Sequence, residues 1–206
     1  MSDSHQIVDR AVHVAWQPRA PAAEAVRVIL ARLSVSPAHE RTRCMAIAGC
    51  QPSEGRSTFV ANLAMAALQA GETVAIVDAA RTGARQRALF GWDDNTTSAP
   101  AGTAVELSAL HIVTHDREGR SLADTVTDAP AYLGTALAEL RARHDRVLID
   151  ISADAHDLDA LNAARQAGAA VVLFKRDTTR LARANRLLER LSETDAAVLG
   201  SVLAPR

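Results

Sequence analysis

The sequence predicts an α/β domain with a mostly parallel central sheet and helices on both faces, and three observations predict it. Short apolar runs end in carboxylates, as in Thr73-Val74-Ala75-Ile76-Val77-Asp78 and Arg146-Val147-Leu148-Ile149-Asp150. Such near-continuous apolar runs are the mark of strands covered on both faces. Segments with helical spacing lie between them. From residue 146 onward strand and helix alternate to the end, which implies crossover connections and parallel pairing.

The elements follow in order. Residues 1–22, ending in Pro18-Arg19-Ala20-Pro21, are expected to form a flexible lead-in, and residues 23–206 a single domain. Val26, Ile29, Leu30 and Leu33 predict a helix over 23–33. Cys44-Met45-Ala46-Ile47-Ala48 predicts a buried strand, and 59–70 a helix ended by Gly71. The run ending in Asp78 is the next strand. A short helix over 84–90 leads into a polar loop from residue 92 to about 103. A strand over 110–114 and a helix over 131–143 precede the strand that ends in Asp150. Helix 158–166, strand 170–174, helix 179–191 and strand 197–203 complete the pattern.

Composition narrows the function. The 206 residues carry a formal net charge of −1, which gives no support to nucleic-acid binding as a main role. Cys44 and Cys50, the two cysteines, make neither a disulfide framework nor a zinc pattern. No apolar run approaches the roughly 20 residues needed to span a bilayer. The N-terminus, with Asp3, His5, Asp9 and Arg10, is unlike a signal peptide. A cytoplasmic location is therefore expected, with any recruitment to the inner membrane through a partner.

Between the first strand and its helix stands Cys50-Gln51-Pro52-Ser53-Glu54-Gly55-Arg56-Ser57-Thr58. Strand, turn and helix is the setting of a phosphate-binding loop, whose backbone N–H groups and helix N-terminus attract an anion. Arg56 stands where such a loop carries lysine. Glu54, Gly55, Arg56, Ser57 and Thr58 are thus the candidate nucleotide-binding residues. Ligands of parallel sheets gather at the carboxyl ends of the strands. Asp78, Asp150 and the loop all fall there.

These segments, in this order, resemble the bacterial tyrosine kinases of the CpsD/CapB type, P-loop proteins of capsule and exopolysaccharide export related to the MinD/ParA ATPases. The likeness runs from about residue 24 to 203. Its motifs are Pro52-Ser53-Glu54-Gly55-Arg56-Ser57 with Asn62-Leu63-Ala64, then Asp78-Ala79-Ala80, then His144-Asp145-Arg146-Val147-Leu148-Ile149-Asp150. The resemblance implies a P-loop NTPase-like fold and ATP or ADP with Mg as cofactor. Ser57, Asp78 and Asp150 would hold the metal, and the two aspartates would be the catalytic residues. It also implies a partner, the cytoplasmic part of a membrane polysaccharide chain-length or export protein, and a homo-oligomer.

The departures point to weakened catalysis. Arg56 replaces a compact ammonium with a planar fork, an exchange that is not conservative at a phosphate site. Ser53 replaces a loop glycine, and Ala80 replaces the second aspartate of Asp-x-Asp. Ile151-Ser152-Ala153 stands for Thr-Pro-Pro. Glu24 and Arg27 match the family's assembly helix, but Leu30 stands for its last arginine. The C-terminal tyrosine cluster of active members has no counterpart before Arg206, and Tyr132 is the only tyrosine. Three readings follow: a kinase-like regulatory or assembly component, a pseudokinase; an active ATPase of the MinD/ParA kind; and a nucleotide-free scaffold.

Other features read as ordinary structure. Arg180, Arg183, Arg186 and Arg190 are expected to form a solvated face of their helix, with Leu181, Ala184, Leu188 and Leu191 on another. The seven histidines show no ligand spacing. Cys50 is expected simply to fit the turn.

Overall fold

The computed structural model describes residues 8–35, 39–51, 54–79, 85–92, 109–115, 119–151 and 157–205. Within them the chain runs α1 (His13–Trp16), α2 (Pro21–Ser34), α3 (His39–Thr42), β1 (Cys44–Gly49), α4 (Arg56–Gln69), β2 (Val74–Ala79), α5 (Gln86–Leu89) and β3 (Leu110–Val113). It continues through α6 (Leu122–Asp128), α7 (Pro130–Arg141), β4 (Arg146–Ile151), α8 (Asp157–Ala167), β5 (Ala169–Lys175), α9 (Leu181–Ser192) and β6 (Ala197–Ala204). The strands form one sheet in the order β3-β2-β4-β1-β5-β6. Every pairing in it is parallel.

The apolar runs do what their composition requires. Alternate side chains of a strand face opposite sides. Met45, Ile47, Val74, Ile76, Leu148 and Val171 accordingly join one core with residues of α1, α2 and α4. Ala46, Ala48, Ala75, Val77, Ile149 and Val172 join another with α6, α7, α8 and α9. β1, β2 and β4 are buried along nearly their whole length. The expected α/β class with a parallel sheet and helices on both faces therefore stands.

The lead-in is a correction. From residue 8 the segment expected to be flexible packs against the domain: Val8, Val12 and Val14 are buried. Asn62 on α4 fixes it, donating to Ala11 O at 2.9 Å and accepting from Val14 N–H at 3.0 Å. Gln69 Nε2 adds a bond to Val14 O at 3.2 Å. Buried backbone groups need partners, and two amide side chains supply them. α2 also begins earlier than expected, at Pro21, whose fixed φ and missing N–H suit a first helical turn.

Most of the other boundaries lie within a few residues of expectation. α6 was not expected; Leu122, Ala123 and Val126 form it by packing beneath the sheet. On α9 the buried face is Ala184, Leu187 and Leu191, whereas Leu181 is exposed. The four arginines of that helix face solvent, as expected. The polar loop from 92 to 103 lies, beyond Trp92, outside the described residues, as do Pro52, Ser53, Ala80, Ser152 and Ala153.

The base of the sheet is tied by an ion pair between buried Arg146 and half-buried Glu72. Arg146 donates from Nε to Glu72 Oε2 at 2.6 Å and from Nη2 to Glu72 Oε1 at 2.8 Å. Its Nη1 donates to Thr42 O at 3.0 Å. One guanidinium thus joins β4 to the α4–β2 turn and to α3, and holds the strand that carries Asp150.

Candidate functional site

The site is assembled at the carboxyl ends of β1, β2 and β4. Asp78 and Asp150 are register partners on adjacent strands, and Asp150 is flanked on its other side by Ile47 of β1. Both carboxylates are buried. Such proximity is costly without a cation, because two like charges out of water repel strongly. Burial pushes the Asp150 carboxyl up to about 6, and the Asp78 charge adds to this, while the Gln86 amide, the Ser57 hydroxyl and the Arg56 guanidinium draw it back. Asp150 Oδ1 is buried and has no hydrogen-bond partner among the described residues.

The loop leaves β1 at Gly49 and enters α4 at Arg56. Gly55 is the residue before the helix, with φ of 84°, a left-handed conformation that side chains with a Cβ disfavour. A glycine in that place supplies no capping oxygen. The N–H groups of Arg56, Ser57 and Thr58 open the helix, where the backbone lacks carbonyl partners and an anion is favoured. Ser57 and Thr58 fall within the first turn, and no side-chain cap bond forms at the helix start.

Glu54 and Arg56, two of the candidate nucleotide-binding residues, are both buried. The Glu54 side chain turns back into the protein, with Oε2 accepting from Cys50 N–H at 2.8 Å and from Gln51 N–H at 3.3 Å. Its Oε1 accepts from the Thr179 hydroxyl at 2.7 Å, which ties the loop to the turn after β5. Arg56 is also buried, and its Nη2 makes a long bond of 3.5 Å to Gln51 O. Both side chains lie over Gly49, where a Cβ would collide with the Glu54 carboxylate and crowd Arg56. Glycine there is a matter of space.

Gln86 is the residue that sequence reasoning missed. It is fully buried at the start of α5. Its backbone N–H donates to Asp78 Oδ2 at 3.0 Å. Its Nε2 donates to Ser57 O at 3.0 Å and to Asp150 Oδ2 at 2.6 Å. A lone glutamine in a polar stretch carries no motif, so only the three-dimensional arrangement reveals it.

Beside the loop lies a mainly apolar cleft of about 340 Å³, bordered by Gly55, Thr58, Phe59, Val26, Ile29 and Leu203. That is within the size range of small-molecule pockets. Two other sequence features can be placed. Leu30, standing for the last arginine of the assembly helix, is buried in the core, and Arg27 is engaged within its own chain, donating to Pro18 O and to Gln69 Oε1. His111 and His144 do meet, at 2.7 Å between Nδ1 and Nε2, but they do so at the opposite end of the sheet.

The arrangement fits a magnesium ion held together with a phosphate. Two carboxylates and a hydroxyl are hard oxygen donors, and the partnerless Asp150 oxygen is an acceptor wanting a positive charge. Among the described residues no group of three or more His, Cys, Asp or Glu forms a metal site by itself. Magnesium in nucleotide sites needs only one or two carboxylates, the phosphates and water supplying the rest. Among the described residues no helix is long and apolar enough to cross a membrane.

Comparison with known proteins agrees with this geometry. Residues 44–175 match the family model described as ATPase MipZ. No curated protein matches the chain by sequence. Among solved structures, the chimerical protein CapA2B2 is similar with TM-score 0.73 and 24% identity, covering 97% of this chain and 92% of its own. The kinase domain of the Escherichia coli tyrosine kinase ETK is similar with TM-score 0.75 and 18% identity over 94% of this chain and 79% of its own. The septum site-determining protein MinD from Pyrococcus horikoshii OT3, complexed with Mg-ADP, gives TM-score 0.57 and 22% identity over 77% of this chain and 69% of its own. At these identities the solved structures establish the shared fold.

Proposed function

Because this chain belongs to the MipZ family of ATPases, we propose that it binds ADP or ATP with magnesium at the 54–58 loop and serves as a catalytically weakened, kinase-like regulator. The observation that carries the binding is the convergence of the uncapped α4 N-terminus, Ser57, and the buried Asp78–Asp150 pair at one end of the sheet. The α4 N-terminus would meet the phosphates, Ser57, Asp78 and Asp150 would hold magnesium, and the neighbouring cleft would accept the base and sugar. Bound magnesium would neutralise phosphate charge, and Ser57, Asp78 and Asp150 would position it.

The weakening rests on two positions. Arg56 is buried, with Nη2 3.5 Å from Gln51 O, and puts a planar guanidinium where the resemblance expects the compact ammonium of a lysine. Ala80 offers no carboxylate where the resemblance expects one. Phosphoryl transfer is achieved almost wholly by positioning and charge neutralisation, so losing such groups removes rate directly. In this reading the protein works as a cytoplasmic component of exopolysaccharide or capsule polymerisation and export. Its partner there is the cytoplasmic part of a membrane chain-length or export protein. Similarity to the kinase domain of the tyrosine kinase ETK supports that setting.

The test is phosphoryl transfer. Purified protein incubated with magnesium and ATP, alone and with such a partner, is expected to yield no phosphotyrosine above a metal-free control. Robust tyrosine phosphorylation would sink the weakened-kinase reading. A second reading, an active ATPase, is favoured by the matched family itself. Steady release of inorganic phosphate from magnesium-ATP would select it.

A further inference from the structure

Resting on the reading of this site as a magnesium–nucleotide site, we propose that Gln86 is the positioning residue that sets the two magnesium-holding carboxylates and anchors the Ser57 backbone beside them. Its backbone N–H fixes Asp78, its amide Nε2 fixes Asp150, and the same Nε2 holds the backbone carbonyl of Ser57. These contacts join the ends of β2 and β4 to the first turn of α4.

The orientation of the amide is forced. Ser57 O and the Asp150 carboxylate are both acceptors, so the NH2 group must face them and Oε1 must point elsewhere. Oε1 is indeed buried with no hydrogen-bond partner among the described residues, as is Asp150 Oδ1. Two acceptors left partnerless in the interior are destabilising, and they persist where something else holds them. What holds Gln86 is its helix. Leu89 and Phe90 are buried in the core, and Leu89 O accepts from Asp9 N–H at 2.8 Å. The amide is therefore presented to the carboxylates by a packed element, which pre-organises the donor oxygens for a cation.

The variants that test this keep the shape and remove the amide. Gln86→Met is unbranched and similar in length, and Gln86→Leu is a second apolar replacement; both retain the backbone N–H that reaches Asp78. Full-length protein is titrated with ADP by calorimetry at a series of magnesium concentrations and in chelator. Losing hydrogen bonds to a charged group weakens binding by about tenfold or more. The expected result is that the magnesium concentration giving half of the strengthening rises by about tenfold, a larger change than that in the affinity for ADP in chelator. A purely structural role would weaken binding equally with magnesium and in chelator. If the parent responds to magnesium and both variants follow it unchanged, the assignment of Gln86 is overturned and the nucleotide reading stands. If the parent binds no ADP under any condition, the nucleotide reading itself falls, and the role of Gln86 falls with it.

Discussion

Replacing Asp150 by asparagine is expected to stabilise the metal-free protein at pH 7 while abolishing the effect of magnesium on nucleotide binding. The carboxyl is raised from its ordinary value to about 6, mainly by burial. A group with a raised native pKa binds its proton more tightly folded than unfolded. Its favourable contribution is therefore complete below about pH 4 and is lost as pH rises through about 6. The difference of about two pH units corresponds to roughly 3 kcal/mol of stability forgone at pH 7. Asparagine keeps an oxygen to accept from Gln86 and carries no charge. Urea unfolding at pH 5 and pH 7 should show the parent losing stability between them and Asp150→Asn losing less. A variant less stable than the parent at pH 7 would contradict the picture of a strained, cation-seeking carboxylate pair.

A comparably large effect, of opposite sign, is expected at the base of the sheet. Glu72→Ala leaves the Arg146 guanidinium, nearly fully buried, without its carboxylate. Among the described residues, only the Thr42 carbonyl and a long contact to the Ser34 hydroxyl remain. Removing one partner of a fully buried ion pair costs about 3–5 kcal/mol, and with Glu72 partly exposed a loss of about 2 kcal/mol is expected here. Replacing both residues together by apolar groups of similar volume should recover much of that. Urea midpoints at constant slope would measure both. A loss below about 1 kcal/mol for Glu72→Ala would show that the pair is solvated after all.

The strands were legible in the sequence because burial on both faces leaves little freedom in composition: 74–77 and 147–149 are apolar throughout. Their parallel order brings Asp78 and Asp150 together, so that part of the site could be read from motif order alone. α6 could not. Its seven residues, Leu-Ala-Asp-Thr-Val-Thr-Asp, are half polar, and only contact with the sheet makes them a helix. The packed segment from Val8 to Val14 was hidden for a similar reason, since its partners Asn62 and Gln69 lie about fifty residues away. Directions of side chains were least legible. Nothing in Pro-Ser-Glu-Gly-Arg-Ser says that Glu54 turns inward to Thr179 across 125 residues, or that Gln86 closes the site.

The most direct measurement is a calorimetric titration of the full-length protein with ADP, with magnesium and in chelator. Micromolar affinity with magnesium, weakened at least tenfold in chelator, is what two buried aspartates and an uncapped helix N-terminus predict. Silence up to millimolar ADP in both conditions would contradict the account and leave a scaffold whose loop is filled by its own Glu54 and Arg56.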